Sequence, residues 1–181
     1  MLKKILIAIG SLILIVIAAL IVLVIFVPGG YKVEREIVIN KPQADVYAYA
    51  HLLKNQNEWG PWVKKDPNIK LTYSGTDGTP GFTSAWDSQI EDVGAGEQVI
   101  TAESQTRMET LIRFLRPFRS ESNAYLTYVA VNDTQTKVTW GFTGKMPRPF
   151  NLFVLFMNMD DAVGKDFDEG LANLKAIIEK Q

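Results

Sequence analysis

Few side chains of this 181-residue chain stand where they could perform acid–base chemistry. Asp160 is the sharpest candidate, because helical spacing puts it on the same face as Phe153 and Phe167, where an unpaired carboxylate is costly to bury. Two interpretations stay open. The carboxylate either orients a polar group of a ligand, with Arg107 or Arg113 as its partner, or it lies in solvent on a frayed or kinked segment.

A tyrosine such as Tyr73, or Asp160, could act as the acid or base of a cyclase- or dehydratase-type enzyme if it lay in a dry pocket. The sequence contains no paired carboxylates at a telling spacing, no phosphate-binding glycine loop and no nucleophile motif. An enzyme is therefore an alternative that no motif supports, and no catalytic residue is assigned.

Histidine and cysteine chemistry is excluded by composition. His51 is the only histidine and the chain has no cysteine, so a His-based metal site, a Ser-His-Asp triad, a thiolate site and a disulfide cannot be assembled. We expect His51 at the surface or at a helix end, and we expect no metal and no cofactor.

The charge balance argues against nucleic acid as a partner. The chain carries 19 Lys and Arg against 20 Asp and Glu, for a formal net charge of −1. Neither a basic footprint for nucleic acid nor a polybasic lipid patch is present.

Tryptophan and phenylalanine are the residues best suited to contact an apolar ligand. Trp59 and Trp62 flank Gly60-Pro61, a pair that no helix interior tolerates, and they are expected at the mouth or the end of a core. Strand alternation puts Phe82 with Trp86 on one face, and Trp140 with Phe142 on another. Periodicity alone does not distinguish a pocket lining from a solid core.

The N-terminus predicts a membrane anchor. Ile5 to Val27 is free of charge and spans roughly 35 Å as a helix, enough for a bilayer core of about 30 Å. A cleaved signal peptide is the alternative, but its apolar region is shorter, and the exit Val-Ile-Phe-Val-Pro-Gly-Gly has no small-residue cleavage site. Lys3 and Lys4 before the run face Lys32, Arg35 and Lys41 after it, so the count of basic residues does not decide the orientation. A very short Lys-bearing N-terminus is the usual layout of a signal anchor, which favours a domain outside the cytoplasm over a cytoplasmic one.

The remaining sequence predicts one α+β domain. A strand over about residues 31–39 precedes two short helices that end near Gly60-Pro61. Six runs rich in β-branched and aromatic residues follow, separated by short turns, which indicates an antiparallel meander. Apolar residues at three- and four-residue intervals then predict one long helix over about residues 150–180, with Gly164 and Gly170 as places for a kink.

Particular residues occupy particular places in this order of elements: Arg35-Glu36-Ile37-Val38-Ile39, Pro42, Val46, Trp59 to Pro67, Gly81, Trp86, Gly164, Asp166-Phe167, Gly170-Leu171 and Leu174-Lys175. In this order and spacing they resemble the START-like, or SRPBCC, superfamily, which includes polyketide cyclase/dehydrase-like proteins and lipid-transfer START domains. The resemblance implies a helix-grip fold, in which a curved antiparallel sheet of about seven strands wraps around the long C-terminal helix. It also implies an apolar cavity between sheet and helix.

These observations predict an anchor and linker over residues 1–30 and a START-like domain over residues 31–181. The expected function is a membrane-anchored binding module for a small hydrophobic molecule or lipid. The expected ligand-binding residues are Trp62, Phe82, Trp86, Trp140, Phe142, Phe153, Met157 and Asp160. Besides the enzyme, the alternative is a filled domain that presents a surface to a membrane protein.

Overall fold

The computed structural model of the chain describes residues 2–156 and 158–181. They form two compact units, one of residues up to Tyr31 together with Lys145–Asn158, the other of Lys32–Gly144 with Met159–Gln181. The helices are α1 Leu2–Phe26, α2 Gln43–Ala50, α3 Leu53–Trp59, α4 Trp62–Lys65, a 3-10 helix Phe150–Leu155 and α5 Met159–Ile178. The strands are β1 Gly30–Ile39, β2 Lys70–Ser74, β3 Thr83–Asp87, β4 Ala95–Ser104, β5 Arg107–Arg116, β6 Ser120–Asn132 and β7 Gln135–Lys145.

The seven strands form one curved sheet in the order β1-β7-β6-β5-β4-β3-β2. From β2 to β7 each strand pairs antiparallel with the next, as short turns between β-rich runs predict. Register shifts in β4 and β6 mark bulges, which increase the local twist of a sheet. The predicted fold, a curved antiparallel sheet holding a long C-terminal helix, is confirmed.

The C-terminal half of α5 packs into a filled core. Leu171, Leu174 and Ile178 recur at helical spacing and are buried, as are Leu126 and Val138 on the sheet. Side chains so closely packed are stabilised by the removal of apolar area from water.

Two glycines of α5 allow close approach rather than a kink, since the helix is continuous from Met159 to Ile178. A Cβ on Gly170 would lie 2.8 Å from the Trp140 ring, and one on Gly164 would lie 2.7 Å from Cζ of Arg35. Glycine at these positions lets side chains of two strands, Trp140 of β7 and Arg35 of β1, approach the helix backbone.

The prediction of one long helix over residues 150–180 was wrong for the first part of this range. Phe150–Leu155 forms a 3-10 helix, and α5 begins only at Met159. Asp160 and Asp161 fill the first turn of α5, where acidic side chains stabilise the positive end of the helix dipole. The region of Trp59 also differs, because Gly60 is extended and separates α3 from a third short helix, α4.

The helix α1 is long and apolar enough to cross a membrane, and no part of its span from Lys3 to Phe26 is buried. Length and composition are those of a membrane span or of a signal sequence.

We expect Leu171→Ala to lower the free energy of unfolding by about 2–5 kcal/mol, because it deletes a buried side chain and leaves a cavity. Urea denaturation of the full chain in mild detergent measures the change. Val129→Ala, at a half-exposed position of β6, is the control and should cost less than about 1 kcal/mol. Equal losses in both variants would show that α5 does not pack into the core as described.

Candidate ligand-binding cavity

A cavity of about 310 Å³ lies between the sheet and the N-terminal half of α5, wholly within the second unit. The loop at Gly60, together with Trp62 and Val63 of α4, borders it on one side, and Ala162, Val163 and Phe167 of α5 border it on another. Strands β3 to β7 supply the remaining wall, with Ser84, Trp86, Gln98, Ile112, Phe114, Ala124, Trp140 and Phe142. Its volume lies at the lower end of the range for small-molecule pockets.

Trp140 of β7 organises the aromatic wall. Its ring stacks on Phe167 with 3.9 Å between centroids, and it receives Trp59 and Trp62 edge-on at 4.9 and 5.6 Å. Both edge-on and stacked arrangements are favourable for aromatic pairs. The break at Gly60 thus lets two nearby tryptophans approach one ring, with Trp59 fully buried in the core and Trp62 on the cavity.

Three amide residues, Ser84 and the aspartates Asp92 and Asp166 interrupt the apolar lining. Gln98 donates from Nε2 to Thr110 Oγ1 at 3.0 Å, and Asn57 donates from Nδ2 to the Tyr73 hydroxyl at 3.2 Å. Gln56 also lines the cavity, and among the described residues its buried Oε1 has no hydrogen-bond partner. A lining of this kind suits an apolar ligand with one or two polar groups.

Two polar contacts hold the elements that border the cavity. Lys65 at the end of α4 donates to both carboxylate oxygens of Asp166 on α5 at 2.8 Å. Ser88 donates to the buried Asp66 carboxylate at 2.5 Å and so fixes the start of the loop that carries Val93. Asp66 also accepts from the backbone N–H of Asn68, so it has a structural role besides its place in a turn.

The structure brings Trp62, Trp86, Trp140 and Phe142 of the predicted set together on this cavity. Phe82 is buried, but its ring stacks on Tyr73 and it does not line the cavity. Met157 lies outside the described residues. Phe153 belongs to the first unit, where it is half-exposed.

Asp160 is paired, and with a different arginine from those expected. Both of its carboxylate oxygens accept hydrogen bonds from Arg35 at 2.7 Å, and this guanidinium holds the pKa of Asp160 below its usual range. Arg107 pairs instead with Glu109, and Arg113 with Glu97. The Asp160 side chain is half-exposed and does not line the cavity.

A polar cluster that the sequence did not reveal lies under α2. His51 caps the end of that helix, as expected, but its ring is stacked on Tyr47 at 4.4 Å and its Nδ1 lies 3.9 Å from Oε1 of Glu103. Tyr47 also meets Tyr128 edge-on. Within the described part of the chain, the Glu103 oxygens and the Tyr128 hydroxyl are buried without a hydrogen-bond partner.

Burial determines the titration of this cluster. It raises the pKa of Glu103 to about 7, although the nearby Tyr47 hydroxyl acts in the opposite direction. Burial also lowers the pKa of His51 and raises that of Tyr128. None of these residues lines the cavity, so the cluster bears on stability rather than on ligand contact.

Comparison with known proteins assigns the fold to a family. Residues 31–179 match the family described as polyketide cyclase / dehydrase and lipid transport, and the chain belongs to that family. It is thereby a member of the START-like superfamily, as the sequence pattern predicts. No curated protein sequence matches the chain.

Solved structures share the fold at low sequence identity. Norcoclaurine synthase from Thalictrum flavum, in complex with dopamine and hydroxybenzaldehyde, aligns with a TM-score of 0.62 at 8% identity over 86% of this chain and 90% of that chain. The di-domain ARO/CYC StfQ from the steffimycin biosynthetic pathway aligns with a TM-score of 0.58 at 14% identity, over 83% of this chain and 51% of that chain. A protein from Nitrosospira multiformis aligns with a TM-score of 0.57 at 17% identity, over 81% of this chain and 94% of that chain.

We expect Glu103→Gln to remove a pH-dependent destabilisation. The folded-state pKa of about 7 lies above the usual 4.5, so between these values the folded chain binds the additional proton and stability falls as pH rises. The free energy of unfolding of the variant minus that of the wild type should therefore be larger at about pH 8 than at about pH 5, by on the order of 2–3 kcal/mol. Urea denaturation at both pH values measures the gain. An equal difference at the two pH values would contradict the assignment.

Proposed function

We propose that the protein is a membrane-anchored binding module that holds a small hydrophobic molecule or lipid in the cavity between sheet and α5. The observation that carries this proposal is the cavity itself, whose wall is mainly aromatic and aliphatic with a few amides and two aspartates. Ligand contact is assigned to Trp62, Trp86, Trp140 and Phe142. The small volume favours a compact ring system or one acyl chain over a lipid with two chains.

The comparisons support this proposal at the level of ligand class. The family's description includes both polyketide cyclase / dehydrase and lipid transport. One structural neighbour was solved with two small aromatic molecules bound. These ligands match the chemistry of a wall built from tryptophan and phenylalanine.

Membrane anchorage by α1 is the second part of the proposal. The helix is longer than the apolar region of a typical signal peptide, and its exit has no small-residue cleavage site. Basic residues flank the helix on both sides, and the very short N-terminus with Lys3 and Lys4 favours a domain on the extracytoplasmic side. Tethering suits a ligand that partitions into the bilayer, because its local concentration there is high.

A binding module is preferred to an enzyme because Asp160 and Tyr73, the acid–base candidates of the sequence, do not line the cavity. Two other carboxylates, Asp92 and Asp166, do line it, and Asp166 is bound by Lys65. Asp160 is bound to Arg35, and the Tyr73 hydroxyl accepts from Asn57 while its ring stacks on Phe82. A filled domain that only presents a surface is also disfavoured, since space remains beside α5.

We expect the full chain in detergent to bind an apolar fluorophore such as 1-anilinonaphthalene-8-sulfonate, with energy transfer from the cavity tryptophans. Ala162→Trp should weaken this binding about tenfold, or about 1.4 kcal/mol, because a larger side chain on α5 fills the cavity wall. Ala44→Trp is the matched control, as it changes an exposed alanine of α2 away from the lining. Equal binding by both variants would remove the cavity as the site.

The anchor predicts that the protein stays in the membrane pellet after alkaline extraction, with its N-terminal residues intact by mass spectrometry. Protease added to spheroplasts, whose inner membrane is closed, should digest the domain if it lies on the extracytoplasmic side. A mature protein that begins beyond Val27 would identify α1 as a cleaved signal peptide instead.

A further inference from the structure

The segment between β7 and α5 exposes an unusual amount of apolar surface. From Pro149 to Phe156 it has no charged residue. Phe150, Phe153, Leu155 and Phe156 are 57%, 52%, 56% and 84% exposed, and the first two rings stack at 6.3 Å. Contiguous exposed side chains of this size mark an interaction surface rather than ordinary solvent contact.

The same segment is bound to the C-terminal end of α1. Arg148 donates from Nε to the carbonyl of Val24 at 2.9 Å and from Nη2 to that of Ile25 at 2.5 Å. Asn151 donates from Nδ2 to the carbonyls of Val24 and Val27 at 3.0 and 2.7 Å. These are carbonyls that the end of a helix leaves without intrahelical partners.

Backbone contacts strengthen this attachment. The N–H of Met146 donates to the carbonyl of Gly29 at 2.9 Å, and a Cβ on Gly29 would lie 2.9 Å from Cβ of Asn151. Glycine after the helix therefore permits close packing of the two chain segments. Asn151 is buried on the side that meets α1, whereas the phenylalanines are exposed.

This arrangement determines the depth of the segment if α1 spans a bilayer. The C-terminal end of a spanning helix lies at the membrane–water interface, and the segment is hydrogen-bonded to that end. Its polar groups satisfy carbonyls that would otherwise be costly near hydrocarbon, and its aromatic and aliphatic side chains suit the interfacial region. Its own backbone is partly satisfied within the 3-10 helix, where the N–H of Phe156 donates to Phe153.

We infer that residues 149–156 form a membrane-interface element, with Phe150, Phe153, Leu155 and Phe156 inserted among the lipids next to the end of α1. This inference rests on the anchorage in the proposed function. The element is also the covalent link between β7, which carries Trp140 and Phe142, and α5, which carries Phe167. The protein therefore contacts lipid at a second place besides α1, and this place lies in the segment that connects β7 to α5.

The absence of cysteine allows a direct depth measurement on the full chain. Single-cysteine variants Phe156→Cys, Phe150→Cys, Ile13→Cys and Thr134→Cys are labelled with the fluorophore NBD and reconstituted in phosphatidylcholine vesicles. The vesicles carry lipids spin-labelled either near the headgroup or near the methyl end of the chain. Ile13 lies in the middle of α1, and Thr134 is an exposed residue of the turn after β6.

The probes at Phe156 and Phe150 should lose most of their fluorescence with the shallow quencher and less with the deep one. The probe at Ile13 should show the reverse order, and the probe at Thr134 should be quenched by neither. If Ile13 is quenched while both segment probes are not, the anchor stands and the interface element is refuted. A segment probe shielded from water but quenched by neither lipid would place a second copy of the chain on this surface, which also refutes the inference.

Two further outcomes separate this inference from the anchorage. If Ile13 and both segment probes all escape quenching, the anchorage and the interface element fail together. Quenching of the segment without Ile13 would support the element and refute the spanning helix. Equal quenching at Thr134 and Phe156 would show that the domain adheres as a whole, so that no special role of residues 149–156 remains.

Discussion

The stack of Trp140 on Phe167 is the contact on which the rest of the domain depends. It joins β7 in the sheet to α5 at 3.9 Å, and two other tryptophans meet the same ring edge-on. The approach requires Gly170, because a Cβ at that position would collide with the Trp140 ring. One aromatic cluster thus decides how closely the sheet holds the helix.

The cavity follows from the position of this cluster along α5. On its C-terminal side, Leu171, Leu174 and Ile178 meet the sheet in a filled core, which supplies the apolar burial that stabilises the domain. On its N-terminal side, smaller residues such as Ala162 and Val163 leave space that the flanking rings do not fill. Stability and ligand capacity are therefore divided between the two halves of one helix.

Polar contacts hold the elements around the cavity, and one of them includes the lining residue Asp166. Arg35 joins β1 to the start of α5 through Asp160 and Asp168, and Lys65 joins α4 to α5 through Asp166. Such pairs are partly exposed, so their contribution to stability is small. Their main effect is to fix the position of the elements that they join. The Glu103 cluster differs, because its polar groups are buried and the removal of a carboxylate from water is costly.

Patterns that are local in the chain allowed much of this architecture to be predicted. Alternation of side chains located the strands of the meander, and helical spacing located Phe167, Leu171 and Leu174 on the buried face of α5. The helix break before Met159 was missed, although Asp160 and Asp161 in the first turn are a local signal for a helix start. The apolar pattern continued through the break, since Phe153 keeps the spacing while belonging to a different element.

The sequence by itself determined the charge-free run from Ile5 to Val27, the order of the elements and the aromatic residues available to a ligand. Only the tertiary structure decided which of those aromatics share a cavity, that Asp160 meets an arginine 125 residues away, and that Glu103 lies beside His51. The physical reason is that periodicity depends on neighbours within a few residues, whereas pairing and cavity volume depend on how distant elements pack. No local pattern contains that information.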